Sequence, residues 1–385
     1  MYLITQTSLD PGRTQYQRLK HMTKKNMLFI FTGKKTKFPL FRNLTLVRSS
    51  SHFGGTNPLY VFFALFKFYQ LHKTQKFDII YSSYNYYSIL PGFLLKFLYG
   101  TKVKWVVDLW DHPELQVEKE IWKRRRKDIL TVILHLSEII GVFLSKKVLK
   151  YSDLIVLALY PTGPLMKKFS LNRVPILAVT NGVDLSIVKP KHKKHEDGSF
   201  KLFYVGFVMK ERGLDLMLQT LTLLKFSIKN LKLNLVGDST PEDLAYMKET
   251  VKKNGLEEIV QYFGKLKHEQ VLDLTEEADV CLFPFPRKEV LNCIYPVKIF
   301  EYMAMGKAVV ATRLEGVSQI IKDGINGLLV DVEPSKMCEA ILKVYQNPKL
   351  RRSLENNAMK SVRDYDSQII HARINMGLEK LFARS

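Results

Sequence analysis

KLFYVGFVMKERGLDLML, Lys201–Leu218, decides the fold. Its opening KLFYVGF is apolar and aromatic with a single cation, the composition of a short strand buried on both faces. Gly206 ends that strand, a charged loop with Lys210 and Arg212 follows, and Gly213 opens a helix expected to run to Leu224. A strand that passes through a glycine-bearing loop into a helix is half of a βαβ unit, and βαβ units build parallel sheets. The loop has chemical potential too. Glycine lets the backbone approach a ligand, and cations beside a helix N-terminus suit a diphosphate. An ordinary surface loop with solvated charges would look similar.

The alternation continues on both sides. Downstream, LNLVGDSTPEDL carries a strand that ends at Gly237, and Pro241 begins a helix with acids in its first turn. IVQYFG, DVCLFP, AVVAT and GLLV predict further strands. In YPVKIFEYMAMGKAVVAT, Tyr295–Thr312, a helix bearing Glu301 ends at Gly306 before a buried strand. Upstream, YLITQTS, NMLFIFTG, LTLVRSS, FDIIYSS, KVKWVVDL and SDLIVLAL predict strands. Helix-length segments lie between several of them, at 14–22, 58–73, 86–99 and 129–151. The polar, charged KPKHKKHEDGSF, Lys189–Phe200, is the best linker. The expectation is α/β: two facing Rossmann-like domains, residues 1–188 and 201–366, joined by 189–200. Residues 367–385 form a C-terminal helix free to return to the first domain.

Length supports two cores rather than one, since 385 residues exceed an ordinary single domain. An apolar fraction of 46% excludes disorder. Charge is uneven. Residues 1–190 hold 29 Lys and Arg against 11 Asp and Glu, a net of +18, and the remainder carries only +4 of the total +22. The first half is therefore expected to meet something anionic. Cys281, Cys293 and Cys338 are an odd set without metal spacing, which suits a reducing compartment. The N-terminus has no basic region followed by an apolar core, so no secretory signal is expected. The greasiest stretches, 58–71 and 129–144, are interrupted by Lys67 and by His135 and Glu138, so no membrane span is expected.

Six segments in order carry a resemblance. They are AVTNGVDLSIVKP, YVGFVMKERGLDLML, LNLVGDSTPEDL, NGLEEIVQYFGKLKHEQVLDLTEEADVCLFP, YPVKIFEYMAMGKAVVAT and IIKDGINGLLV. Residues 178–332 resemble the donor half of glycosyltransferase family 4, and weaker likeness extends over nearly the whole chain. The resemblance implies the GT-B arrangement with the active site in the interdomain cleft, and a nucleotide-sugar bound by the second half. It also implies retention at the anomeric carbon. Carried over by position, Arg212 matches the family's cation on the donor diphosphate and Glu301 the carboxylate that holds the ribose. Gly264 and Lys265 fall where the base is met, and Gly12 matches the glycine of the first-domain loop facing the phosphates. Gly206, Lys210 and Gly237 complete the expected donor site. Three departures stand out. Cys293 replaces a second Glu that normally contacts the donor sugar, Phe207 replaces an Arg, and Gln319 replaces a Glu. Lys298 can compensate for the Arg by placing a cation near the phosphates.

In the first half KWVVDLWDHPEL, from Lys104, is the most informative string. A strand ends at Asp108, and Trp110, Asp111 and His112 follow on a loop expected to face the cleft. Trp110 offers a face to an acceptor sugar, and one of Asp108, Asp111 or His112 can take the acceptor's proton. The alternative is that the two Asp residues cap the next helix. Trp122 and the run Lys123, Arg124, Arg125, Arg126 and Lys127 suit an anionic membrane surface. A solvated helix face is the plainer reading of that run. No nucleic-acid motif appears.

The expected activity is therefore a cytoplasmic, membrane-peripheral glycosyltransferase with no cofactor beyond the nucleotide-sugar co-substrate. Its acceptor is a lipid-linked glycan or other anionic glycan or glycolipid, in surface polysaccharide assembly. No metal is expected, because no Asp-x-Asp stands at a strand end and protein cations can neutralise the leaving group. A nucleotide-sugar epimerase of the same fold and a degenerate nucleotide-binding scaffold are the competing readings.

Overall fold

The computed structural model describes residues 2–5, 22, 28–32, 43–48, 60–84, 86–110, 112, 140–141, 143–190 and 198–383. Gly12, Asp111, Trp122 and the basic run Lys123–Lys127 lie outside them. Two compact units emerge. The first comprises Met1–Asn181 with Gln368–Ser385, and the second Gly182–Ser367. The division falls ahead of the 189–200 stretch read as a linker, and the first strand of the second unit starts inside that stretch, at Phe200. The cause is a pair of long-range backbone bonds. Val183 N–H donates to the Tyr365 carbonyl at 3.0 Å, and Ser367 N–H donates to the Val183 carbonyl at 2.9 Å. Residues 182–190 are thereby tied to the second unit.

The first unit is a seven-stranded sheet of β1 (Tyr2–Thr5), β2 (Leu28–Thr32), β3 (Leu44–Arg48), β4 (Ile79–Ser83), β5 (Lys104–Leu109), β6 (Leu154–Leu157) and β7 (Ile176–Ala178). Its order is 3-2-1-4-5-6-7 and every pairing is parallel. The chain moves one way from β1 to β3 and the other way from β4 onward. Right-handed crossovers then place the connections after β3, β4 and β5 on one face. Among these are α1 (Tyr60–Thr74) and α2 (Tyr86–Tyr99), with α3 (Gly163–Lys168) after β6. Phe93 of α2 meets Trp105 of β5 with ring centroids 6.1 Å apart.

The second unit is a six-stranded sheet of β8 (Phe200–Val205), β9 (Leu231–Val236), β10 (Val260–Tyr262), β11 (Val280–Phe283), β12 (Ala308–Thr312) and β13 (Leu328–Val330). Its order, 10-9-8-11-12-13, is again wholly parallel. β4, β6, β11, β12 and β13 are buried along their whole length, which accounts for the unbroken apolar sequences of β6, β11 and β13 and for the small hydroxyl residues that end β4 and β12. The helices are α4 (Leu214–Leu224), α5 (Pro241–Lys253), α6 (His268–Glu277), α7 (Glu289–Asn292), α8 (Val297–Ala304), α9 (Val317–Ile320), α10 (Pro334–Gln346) and α11 (Pro348–Ser361).

The last helix, α12 (Ser367–Ala383), belongs to the first unit. Ile370, Ile374 and Leu378 recur every four residues and form one stripe. That stripe is buried against Ile79 and Tyr81 of β4, Val106 of β5, and Leu154 and Val156 of β6. Burying each such side chain contributes about 1.5–3 kcal/mol.

Candidate functional site

The order in which strands are added to the second sheet reverses between β8 and β11. In parallel sheets of this kind ligands bind outside the carboxyl ends of the strands at that point. The loops after β8 and β11 meet there. Gly213 has φ of 89°, and a Cβ at this position would lie 2.0 Å from the Pro284 carbonyl oxygen, so only glycine lets α4 start against the β11 loop.

Two cations share this corner. The Arg212 Cζ lies 5.0 Å from the centre of the Phe285 ring. The Lys298 Nζ lies 5.3 Å from the same ring and 5.2 Å from the Tyr204 ring. A Cβ on Gly206, whose φ is 153°, would come within 2.2 Å of the Lys298 Nζ, so the ammonium rests on the glycine backbone. Lys298 as a residue is half-buried, but its ammonium is packed between rings and backbone. Burial, and then the neighbouring Arg212, lower its pKa to about 7, with Glu301 opposing. Among the described residues neither cation has a carboxylate ion-pair partner. Two cations gathered on aromatic faces, with Glu301 as the nearby opposing charge but no ion pair, leave a corner that suits an anion.

Glu301 lies one helical turn beyond Lys298 on α8. Its carboxylate accepts a hydrogen bond from His268 Nε2, at the start of α6, at 2.9 Å. That bond raises the imidazole pKa above its usual value, against the effect of desolvation. Gly237 N–H donates to the Gly264 carbonyl at 2.8 Å, joining the ends of β9 and β10. Lys265 reaches Asp238 at 3.7 Å with both side chains exposed, a pair that contributes at most about 1 kcal/mol. Lys210 is turned to the Tyr246 ring, 3.4 Å from its centre. The structure thus gathers Gly206, Arg212, Lys298 and Glu301 in one corner.

The departures from the family pattern have clear local settings. Cys293 is fully buried, with its Sγ directed to the Val290 carbonyl at 3.9 Å, and supplies no charge in place of the missing Glu. Phe207 is half exposed beside Gly206. Phe285, Tyr204 and His268 were not foreseen from sequence. Only His268 carries a signal there, as an imidazole at a helix start.

In the first unit the residues expected to face a ligand are drawn inward instead. Asp108 is buried, and its Oδ2 accepts a hydrogen bond from the Tyr81 hydroxyl at 2.8 Å. His112 is fully buried with its ring edge-on to Phe169 at 5.7 Å. Trp110 packs against the cluster that includes Ile370 and Ile374. Removing the large Trp110 ring from water favours this inward packing. Among the described residues no group of three or more His, Cys, Asp or Glu is placed to hold a metal ion.

Comparison with known proteins finds similarity centred on the second unit. Residues 187–361 match the model of the family described as Glycosyl transferases group 1. An uncharacterized glycosyltransferase of Methanocaldococcus jannaschii is 27% identical over 207 residues, 54% of this chain and 53% of that one. The chain thus spans about half the length of that relative. The N,N'-diacetylbacillosaminyl-diphospho-undecaprenol alpha-1,3-N-acetylgalactosaminyltransferase of Campylobacter jejuni is 29% identical over 30% of this chain and 29% of its own. Among solved structures, the sucrose-phosphate synthase of Thermosynechococcus elongatus superposes with a TM-score of 0.74 at 17% identity, covering 100% of this chain and 99% of that one. Two wholly parallel sheets and a whole-length structural match show a chain of two Rossmann-like α/β units, and the second of them, over residues 187–361, is similar to the group 1 glycosyl transferases.

Proposed function

We propose that the protein transfers a sugar from a nucleotide-sugar donor to a lipid-linked glycan or similar anionic acceptor, with retention at the anomeric carbon. The observation that carries this reading is the cation pair Arg212 and Lys298, neither in an ion pair among the described residues, at the point where the strand order of the second unit reverses. A donor diphosphate fits there, on the Gly206 backbone and between the two cations. The ribose hydroxyls would then share the Glu301 carboxylate, either displacing His268 or bonding beside it. Lys298 takes the place of the Arg replaced by Phe207. With Cys293 buried and uncharged, the sugar is recognised without the usual second carboxylate.

The remaining assignments complete the proposal. Gly237, Gly264 and Lys265 line the base, Gly12 faces the phosphates, and one of Asp108, Asp111 or His112 receives the acceptor's proton. Trp110 stacks on the acceptor sugar, an assignment that requires the loop after β5 to turn outward. The leaving diphosphate is neutralised by protein cations rather than by a metal. A lipid-linked acceptor is supported by the diphospho-undecaprenol acceptor for which the Campylobacter relative is named and by the +18 first half, and on this reading the enzyme works at the inner face of a membrane.

The test is a thermal-shift series with nucleoside diphosphates and their sugars, followed by transfer from the donor that stabilises most to lipid-linked acceptors. Stabilisation by a nucleotide sugar and appearance of a glycosylated lipid are expected. If no nucleotide sugar raises the melting temperature, the donor site is misassigned. Binding without transfer to any acceptor, and without donor hydrolysis, identifies a nucleotide-binding scaffold instead.

A further inference from the structure

No helix among the described residues is long and apolar enough to cross a membrane. The first unit nevertheless carries an unusual outer layer. Its crossovers after β3, β4 and β5 share one face of the sheet. The ring of Phe68 on α1 lies 5.2 Å from that of Tyr99 on α2, and Phe93 of α2 lies 5.5 Å from Tyr151. Tyr151 ends the helical stretch 143–151. Three helical segments therefore lie side by side over the sheet.

Their outward surfaces are greasy. Of the 17 exposed large apolar side chains among the described residues, nine are on this layer, so they are a patch and not a scatter. Phe97 is 78% exposed, Leu98 69%, Phe66 58% and Phe143 55%. On the last segment Ile140, Phe143, Leu144 and Tyr151 recur at helical spacing, and all four point out. Cations are interleaved with them. Lys73 sits over Tyr69 at 4.5 Å, Lys147 over Phe143 at 4.5 Å and Lys150 over Tyr151 at 5.0 Å. Residues 60–76, 86–104 and 140–151 together hold nine lysines and no Asp or Glu.

We propose that the outer surface of this three-helix layer docks the protein on an anionic lipid bilayer. Phe97, Leu98 and Phe143 enter the headgroup layer, and the lysines beside them meet lipid phosphates. Charge chooses the occupant. Lys96 is ion-paired with Asp153 and Lys104 is in β5, so a second copy would bring the remaining seven lysines onto seven like charges and be repelled. A bilayer offers negative headgroups over a hydrocarbon interior, and a side chain with an aromatic body beside a lysine fits that boundary. The inference rests on the membrane-peripheral part of the proposed function, and it names a different surface from the run Lys123–Lys127.

Co-sedimentation of the full chain tests it, with vesicles of phosphatidylglycerol and phosphatidylcholine against vesicles of phosphatidylcholine alone. Wild type should bind the anionic vesicles and leave the neutral ones. Phe97→Ser with Leu98→Ser should lower partitioning about tenfold or more per side chain, since each buries a large apolar group. Lys73→Gln, Lys147→Gln and Lys150→Gln together should lower it about fivefold per charge. Melting temperature and nucleotide affinity, read in parallel, should stay at wild-type values because all five residues are exposed. The proposal is overturned if wild type ignores anionic vesicles, or if both variants bind them as wild type does. It is equally overturned if light scattering shows a dimer that Phe97→Ser with Leu98→Ser converts to a monomer. Vesicle binding without nucleotide binding would leave this surface standing and remove the glycosyltransferase reading.

Discussion

Raising the pH from 6.5 to 8.5 should weaken nucleotide-sugar binding, and Lys298 sets by how much. In the free protein its ammonium is held at a pKa of about 7 by burial and by Arg212. A diphosphate seated between the two cations supplies the missing counter-charge and raises that pKa, typically by 1–3 units for an opposite charge at close range. Binding therefore takes up a proton whenever Lys298 is neutral beforehand. At the upper end of that range the bound ammonium stays charged throughout, and affinity then follows the charged fraction of the free protein. That fraction falls from about three quarters at pH 6.5 to a few per cent at pH 8.5, a loss of about 25-fold or roughly 2 kcal/mol. The other groups at this corner are Arg212, charged throughout, the Tyr204 hydroxyl, which burial holds far above this window, and Glu301 with its partner His268. A nucleotide sugar is the right probe, because its diphosphate is esterified at both ends and does not itself titrate here. Isothermal titration at several pH values, in two buffers of different ionisation enthalpy, reads both affinity and proton uptake. Lys298→Arg should retain affinity and flatten the profile, while Lys298→Met should bind weakly at every pH. A flat wild-type profile, or an unchanged slope in Lys298→Arg, would refute the assignment of the proton to Lys298.

Four other outcomes follow from the same geometry. Arg212→Ala and Glu301→Ala should each weaken nucleotide binding by about 1.5–3 kcal/mol without lowering the melting temperature, and unchanged affinity in both would remove the site. Transfer should survive a chelator nearly intact, and complete loss restored by manganese or magnesium would contradict neutralisation by Arg212 and Lys298. His268→Gln should lower stability by no more than about 1 kcal/mol, because the pair is half exposed. Its folded pKa is raised, so that loss should be full below the ordinary imidazole value and vanish as pH rises past the raised one, which melting curves across pH will show. Ile374→Ala should destabilise the first unit by about 2–5 kcal/mol, measured by hydrogen exchange at β4–β6, and protection in β8–β13 should not change.

Much of the architecture could be read from the chain because it is local. Buried parallel strands are continuous apolar runs, so β4, β5, β6, β8, β9, β11 and β12 announce themselves. β7 does not, because Ile176–Ala178 is a three-residue edge strand that is partly exposed and has little pattern to show. The donor corner was half legible. Gly206, Arg212 and Glu301 stand in recognisable segments, whereas the aromatic floor that gathers the cations comes from Phe285, 73 positions beyond Arg212. His268 is 33 residues from Glu301. The inward packing of Trp110 and His112 was not legible for a related reason. A residue one or three places past a strand end can turn either way, and the choice was made by Phe169 and the stripe on α12.

That stripe has a bearing on how the molecule comes into being. The second unit is one uninterrupted length of chain and holds everything its own core requires. The first unit is not: its sheet is covered on one side by residues made only after the whole of the second unit. During synthesis the earlier-made portion must wait, with Ile79, Tyr81, Val106 and Val156 uncovered, while the later portion emerges and folds. For that interval the nascent chain exposes an apolar sheet face. A stall anywhere in Gly182–Ser367 leaves this face open to chaperones or to aggregation.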